Sequence, residues 1–514
     1  MAGVARVSDE ATCVADTRAL SSQRVLTVLA IAAGAVLLRC IVYLLHEQLV
    51  FDSDQAINGL MAKHLVEHRA FPLFFYGQTY MLAVEAWVAA PFFLVAGPTV
   101  GALRSSIFAW NVAFAVILIV ALCRDGGLDP WMALVSAAVF LLAPASVGAQ
   151  LMQAQGGIIE PFVYVGLLWL LRKRPLWFGA VLAIGFRNRE FVAYAVPALI
   201  LVELASGEVN RARLGEWLAA AVVFVAVWEA IEALKPYADL LGPGTRGQLI
   251  GGFAGSQFNN LVNRFDFGYA TVPERIARMG PGILAWFSGA GQVDTSFPLP
   301  DRRWLSVLSG VFVLFVAVRL VYLFARPEAD ERARWWTTPM ARAKRTSVAI
   351  YFAIIGAEAI VVFLVGKPVL SGYSRYALLG LLLPVGLIAA LLTLEPATLV
   401  RRGVTTAIVA WALLTAADHL SFAVGYSRHP EIDAARVVSD KLIADGRWIA
   451  SAGYWRAYVI TFVSRERLHV ASDSFIRIQQ YQDEFAEHAA EAVLIADTPC
   501  PGGERVGVLY VCKP

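Results

Sequence analysis

A mainly α fold, a polytopic bundle of transmembrane helices followed by a small extracytoplasmic α/β domain, is what this sequence predicts, on three observations. Of 514 residues 58% are hydrophobic and only 16% charged, so most of the chain's surface must face lipid rather than water. Apolar runs of spanning length recur from Val25 onward, and several of the short loops between them are rich in Lys and Arg. Beyond about Gly425 the pattern changes to short alternating apolar strands and polar helices. The net charge of +3 is scattered among loops and offers no continuous basic surface, which argues against nucleic acid as a partner. No internal repeat and no low-complexity segment breaks the pattern.

Taken in order, residues 1–24 read as a cytoplasmic leader, residues 25–424 as the membrane part and residues 425–514 as the outer domain. The run from Val25 to Leu45 follows Arg18 and Arg24 with no small-residue cleavage site behind it, which predicts a retained anchor with its amino terminus inside. Further runs begin near Leu103, Trp131, Pro161, Leu176, Phe191, Leu214, Trp304, Ser347, Tyr376 and Val404, for about eleven crossings with the first. Tyr80 to Gly97 is excluded, because Glu85 and Pro91 within it suit a re-entrant or interfacial hairpin better than a span. Basic loops at Arg172 to Arg174, Arg211 to Arg213, Arg326 to Arg345 and Arg401 to Arg402 then all fall on the inner side. The Asp52/Asp54 loop, the turn "RNRE", the segment from about Lys235 to Arg303 and "KPVLSGYSRY" fall on the outer side. In the last domain "RWIASAG", "YVITFVS", "RLHVAS", "AVLIAD" and "RVGVLYVCK" read as strands, with helices near Ile432 to Ala444 and Gln480 to Ala492. Cys500 and Cys512 both lie there, where an oxidising exterior would join them.

The first outer loop carries the chemistry. Ile57, Leu60, Met61, His64 and Leu65 follow helical spacing, which predicts a helix from Gln55 to about His68 lying flat on the membrane interface. Asp52, with Gln55 three residues on, has the form of a capping box and needs no further role. One cap uses one side chain, so Asp54 stands as a carboxylate able to take a proton from an alcohol or to hold a cation. "RNRE" breaks a segment too long for one span into two short helices, directing Arg187 and Arg189 inward from the outer surface. Arg375 in "SGYSRY" opens another helix from the same side, and guanidinium groups there suit phosphate oxygens. For each arginine the bland account is snorkelling at a helix end. "HLVEH" has the spacing of inverted zinc peptidases, but no third ligand follows among only seven histidines.

The order of these pieces resembles the C-type (GT-C) glycosyltransferases, in particular the branch that includes protein O-mannosyltransferases and bacterial lipid A aminoarabinose transferases. The resemblance is carried by "SDQA" to "HLVEHRAFP", "FFYGQTYMLAVEAW", "PGILAW" and "GYSRYALLGLLLP", and "GYWRAYVITFVSRERLHVAS" is similar to tails of some bacterial relatives. Such enzymes typically show an Asp-Glu pair in the first outer loop, where this chain has Asp54 and Gln55. A second carboxylate must then come from Asp52 or elsewhere.

The resemblance implies transfer of a hexosyl or pentosyl group from a polyprenyl-phosphate donor, with inversion, to a glycan, lipid or protein acceptor at the outer membrane face. It gives Asp54 the role of base, with Asp52 beside it. Arg187, Arg189 and Arg375 become phosphate ligands, Tyr80, Gln78 and Tyr373 orienting groups, and Glu160 an acceptor-side candidate. No cofactor is specified, a divalent cation being the one candidate. The alternative is a transporter or flippase for a lipid-linked sugar, for which Glu358 in "IIGAEAIVVF" would mark an ion path.

Overall fold

The computed structural model describes residues 4–239, 272–288, 293, 297–300, 302–326, 337–365 and 374–513. Its membrane part comprises α1 (Val4–Leu45), α2 (Ser53–Val66), α3 (Val84–Ala96), α4 (Val100–Arg124), α5 (Pro130–Leu141), α6 (Ala145–Leu151), α7 (Glu160–Leu171) and α8 (Pro175–Asn188). After a 3₁₀ turn (Glu190–Tyr194) come α9 (Ala195–Ala205), α10 (Arg211–Leu234), α11 (Val272–Ser288), α12 (Arg303–Ala325), α13 (Thr337–Arg345) and α14 (Ser347–Val365). A second 3₁₀ segment (Ser374–Leu381) leads into α15 (Leu382–Leu394) and α16 (Thr398–Arg428).

Seven stretches among the described residues are long and apolar enough to cross a membrane: Gln23–Leu45, Val100–Arg124, Arg211–Tyr237, Trp304–Ala325, Ser347–Val365, Arg375–Leu394 and Thr398–Arg428. The chain is a multi-pass membrane protein. All eleven expected runs are helical, but four are short: α5, α7, α8 and α9 have 12, 12, 14 and 11 residues. At about 1.5 Å per residue the longest of these reaches roughly 21 Å, short of a hydrocarbon core about 30 Å thick. Pro144 starts α6 at 85° to α5, so that pair bends where a straight span was expected. α3, excluded from the spans, is a helix of 13 residues ending at Gly97. The bundle packs around Phe114, whose ring meets Phe140 at 4.7 Å and Phe162 at 5.3 Å, edge to face. Leu308, Val311, Leu314, Val318 and Val321 on α12 are exposed and apolar, as a lipid-facing side requires.

The last domain is a five-stranded sheet, order β2-β1-β3-β5-β4, with α17 (Ala434–Ala444), α18 (Tyr454–Val463) and α19 (Gln479–Glu487). β1 (Ile449–Ala452) pairs in parallel with β2 (His469–Ser472) and β3 (Val493–Ala496), while β4 (Glu504–Val506) and β5 (Leu509–Cys512) form an antiparallel hairpin. Cys500 and Cys512 are joined.

Three expectations are corrected. "YVITFVS" is not a strand but most of α18, because β-branched and aromatic residues there are buried on two sides of a helix and erase its amphipathic stripe. "RVGVLYVCK" turns at Gly507 into a hairpin rather than running as one strand. The helix after Asp52 does not lie with a wet face on the membrane surface. Ser53 and Gln55 through His64 are all buried, with α3 against one side and α18 against another.

Candidate active site

The acidic loop is positioned by the end of α1. Its last carbonyls have no partner within the helix, and the buried Arg104 of α4 supplies one, donating to the oxygens of Tyr43 at 2.7 Å, His46 at 2.9 Å and Leu49. The chain therefore leaves α1 on a fixed path into α2. Asp52 caps that helix as expected, its Oδ1 accepting from the Gln55 amide at 3.1 Å. Its Oδ2 accepts from Gln155, whose own side-chain oxygen accepts from Arg375. Asp52, Gln155 and Arg375 thus form one hydrogen-bonded row drawn from three segments of the chain. Burial first, and then the Asp54 charge, push the Asp52 carboxyl up to about 6.

Asp54 accepts a hydrogen bond at 2.5 Å from the phenol of Tyr454, a residue of the sheet domain. Ser53 donates to the backbone oxygen of the same tyrosine. Burial and the Asp54 charge push the Tyr454 phenol up, so it remains a donor. Arg477, on the loop between β2 and α19, acts electrostatically on Tyr454, Asp54 and Tyr80.

Of the expected arginines, Arg189 and Arg375 join this region and Arg187 points elsewhere. Arg189 donates from Nε to the Gly156 carbonyl at 2.8 Å and interacts with Glu190, Tyr376, Tyr80 and Glu160. Gly157, at φ +77, lets it pass, since a Cβ there would lie 1.7 Å from the Arg189 Cγ. Arg187 is two residues earlier, in the last turn of α8, and that turn aims it at α10. Its guanidinium lies 4.0 Å over Trp228 and pairs with Glu232.

Tyr80 lies within the electrostatic reach of both Arg189 and Arg477. Burial pushes its hydroxyl up while those two guanidinium groups pull it back. Gln78, beside it, has a buried side-chain oxygen without a partner. Tyr373 lies outside the described residues. Glu160 starts α7, fully buried, accepting from the amides of Ile158 at 3.0 Å and Gly157 at 3.3 Å.

Glu160 also faces Glu85 of α3, which accepts from Asn58 at 2.9 Å and the Gly156 amide at 2.7 Å. Burial and then the Glu160 charge push the Glu85 carboxyl up. Reading Glu85 only as a reason against a span missed it as a site residue, although an acid in an apolar run is itself a signal. Tyr454 and Arg477 were missed as well, and no spacing in the sequence links them to residue 54.

Among the described residues no group of three or more His, Cys, Asp or Glu is arranged to hold a metal ion. The two histidines of "HLVEH" do not converge: His68 is exposed, while His64 is buried between the Tyr76 hydroxyl and Glu466, each at 2.9 Å.

No family model matches the chain, and no curated protein matches it. Among solved structures it is similar to ArnT from Cupriavidus metallidurans in the apo state, with a TM-score of 0.46 and 12% identity over 96% of this chain and 98% of that one. It is also similar to the same protein bound to undecaprenyl phosphate, with a TM-score of 0.41 and 12% identity over 95% and 97%.

Proposed function

We propose that the protein transfers a monosaccharide from a polyprenyl-phosphate donor to a glycan, lipid or protein acceptor at the outer face of the cytoplasmic membrane. The observation that carries this reading is the convergence of Asp54 and Asp52 with Arg189 and Arg375, from separate chain segments, beside a bundle able to hold a lipid chain. A donor with its chain in the bilayer and its phosphate at the boundary needs such a neighbourhood, and needs no soluble nucleotide-binding fold.

The reaction follows from the groups present. The acceptor oxygen attacks the anomeric carbon from the side opposite the phosphate and loses its proton to Asp54, whose Oδ1 already holds the Tyr454 hydrogen bond, so that Oδ2 takes it. The carbon–oxygen bond to phosphate breaks with its electron pair, and polyprenyl phosphate departs. Arg189 and Arg375 stabilise the charge gathering on that phosphate. Tyr80 and Gln78 orient sugar or phosphate oxygens, and Glu160 stands on the acceptor side. Arg187, packed on Trp228, holds α8 against α10 and so sets the turn that aims Arg189.

The test is reconstitution into liposomes with a panel of labelled polyprenyl-phosphate sugars and a membrane extract as acceptor source. Native protein is expected to transfer label, and Asp54→Asn to lose roughly 10²-fold or more of that rate while keeping its thermal midpoint. Transfer by Asp54→Asn at the native rate would remove Asp54 from the chemistry.

A further inference from the structure

We propose that the sheet domain is part of the active site: Arg477 is a ligand of the donor phosphate and Tyr454 is the positioning residue that holds Asp54. The proposal rests on the transferase reading above.

The loop from Asp473 to Ile478 is built to reach the membrane part. Its backbone is tied by the Tyr458 hydroxyl, which accepts from the Arg477 amide at 2.6 Å. Gly77, at φ +72, leaves room for it, since a Cβ there would stand 3.1 Å from the Arg477 Cδ. The Arg477 guanidinium then lies 5.4 Å over the Phe75 ring, and its Nε is buried without a partner. A buried Nε donor without an acceptor is costly unless something meets it. Asp54 and Tyr454 act electrostatically on it, and both Arg477 and Arg189 act on the Tyr80 hydroxyl. Two guanidinium groups from different domains therefore reach the same hydroxyl. A phosphate with two or three free oxygens satisfies both, whereas a neutral sugar would leave them unmatched.

Tyr454 does a different task. Its hydroxyl bonds Asp54 and its carbonyl bonds Ser53, so it fixes two consecutive residues of α2 at once. Removing the hydroxyl leaves the acid in the chain but takes away the hydrogen bond that orients it.

The experiment measures binding of undecaprenyl phosphate, with undecaprenol as the neutral control, to full-length protein in nanodiscs, alongside sugar transfer. Arg477→Gln is expected to weaken undecaprenyl phosphate about tenfold or more, with Arg477→Lys between it and the parent, while undecaprenol binding is unchanged. Tyr454→Phe is expected to keep undecaprenyl phosphate binding within about twofold of the parent and to lower kcat for transfer about tenfold with KM unchanged.

Undecaprenyl phosphate bound by Arg477→Gln within about twofold of the parent would overturn the phosphate assignment. Equal weakening of the phosphate and the alcohol would do so too, because Arg477 would then not be reading the charge. An unchanged kcat in Tyr454→Phe would overturn the positioning role. If the parent binds the phosphate in an Arg477-dependent way yet transfers no sugar, the assignment of Arg477 stands and the transferase reading falls. If the parent does not bind it, both fall together.

Discussion

Asp52 and Asp54 are separated by one residue and stand in different surroundings. Asp52 is a buried cap, its carboxyl raised to about 6 first by loss of water and then by its neighbour. A carboxyl raised in the folded state holds its proton more tightly there than in the unfolded chain. Its ionisation therefore lowers stability as pH climbs from the ordinary value of 3.8 through about 6. Asp52→Asn keeps an acceptor for the Gln55 amide and removes that titration. The parent's thermal midpoint is expected to fall between about pH 4 and about pH 7 by more than the variant's, measured in the same detergent. Equal slopes for the two proteins would mean that Asp52 does not titrate in this window.

At the scale of elements the decisive contact is α2 against α18. Glu466, just beyond α18, accepts from His64 at 2.9 Å, Arg69 at 2.7 Å, the Tyr481 hydroxyl at 2.7 Å, and Lys63. Arg465 and Glu466 both adopt left-handed backbone, at φ 57 and 60, a strain that these contacts offset. Burial alone would raise the Glu466 carboxyl, but the hydrogen bonds from His64, Lys63 and Tyr481 hold it well below the carboxylate range. Its contribution is therefore present above the ordinary value of 4.5 and is lost only in strong acid, the opposite sign to Asp52. Glu466→Gln is expected to cost about 3–5 kcal/mol and to raise amide hydrogen exchange in α2 and α18 together. Exchange confined to α18 would show that the two helices do not depend on this contact. Little of this was legible beforehand. The cap at Asp52 and the helices α17 and α19 followed from local spacing, which is short-range physics. The burial of α2 did not, because the helix that covers it comes from 400 residues later and its own run imitates a strand. Arg187 and Arg189 look equivalent in "RNRE", and only the end of α8 between them separates a packing role from a place near the acid.

For the whole molecule the fold class was readable because hydropathy is additive along the chain, whereas the number of full spans depends on where bends fall. The basic loops, read as inner, carry the proposal that the sheet domain lies outside. An impermeant maleimide applied to intact cells is expected to label Ala490→Cys, exposed in the sheet domain, and not Ala212→Cys, exposed in the basic first turn of α10, each compared with the parent chain. The reverse pattern would put the acidic loop in the cytoplasm. The hydrogen bond between Asp54 and Tyr454 also sets a timetable, because its partners are 400 residues apart. At about 5–20 residues per second a ribosome needs roughly 20–80 seconds to add the phenol after the acid. Throughout that interval the nascent chain lacks the phenol that holds Asp54, so on the proposed reading it cannot consume donor lipid before synthesis is nearly complete.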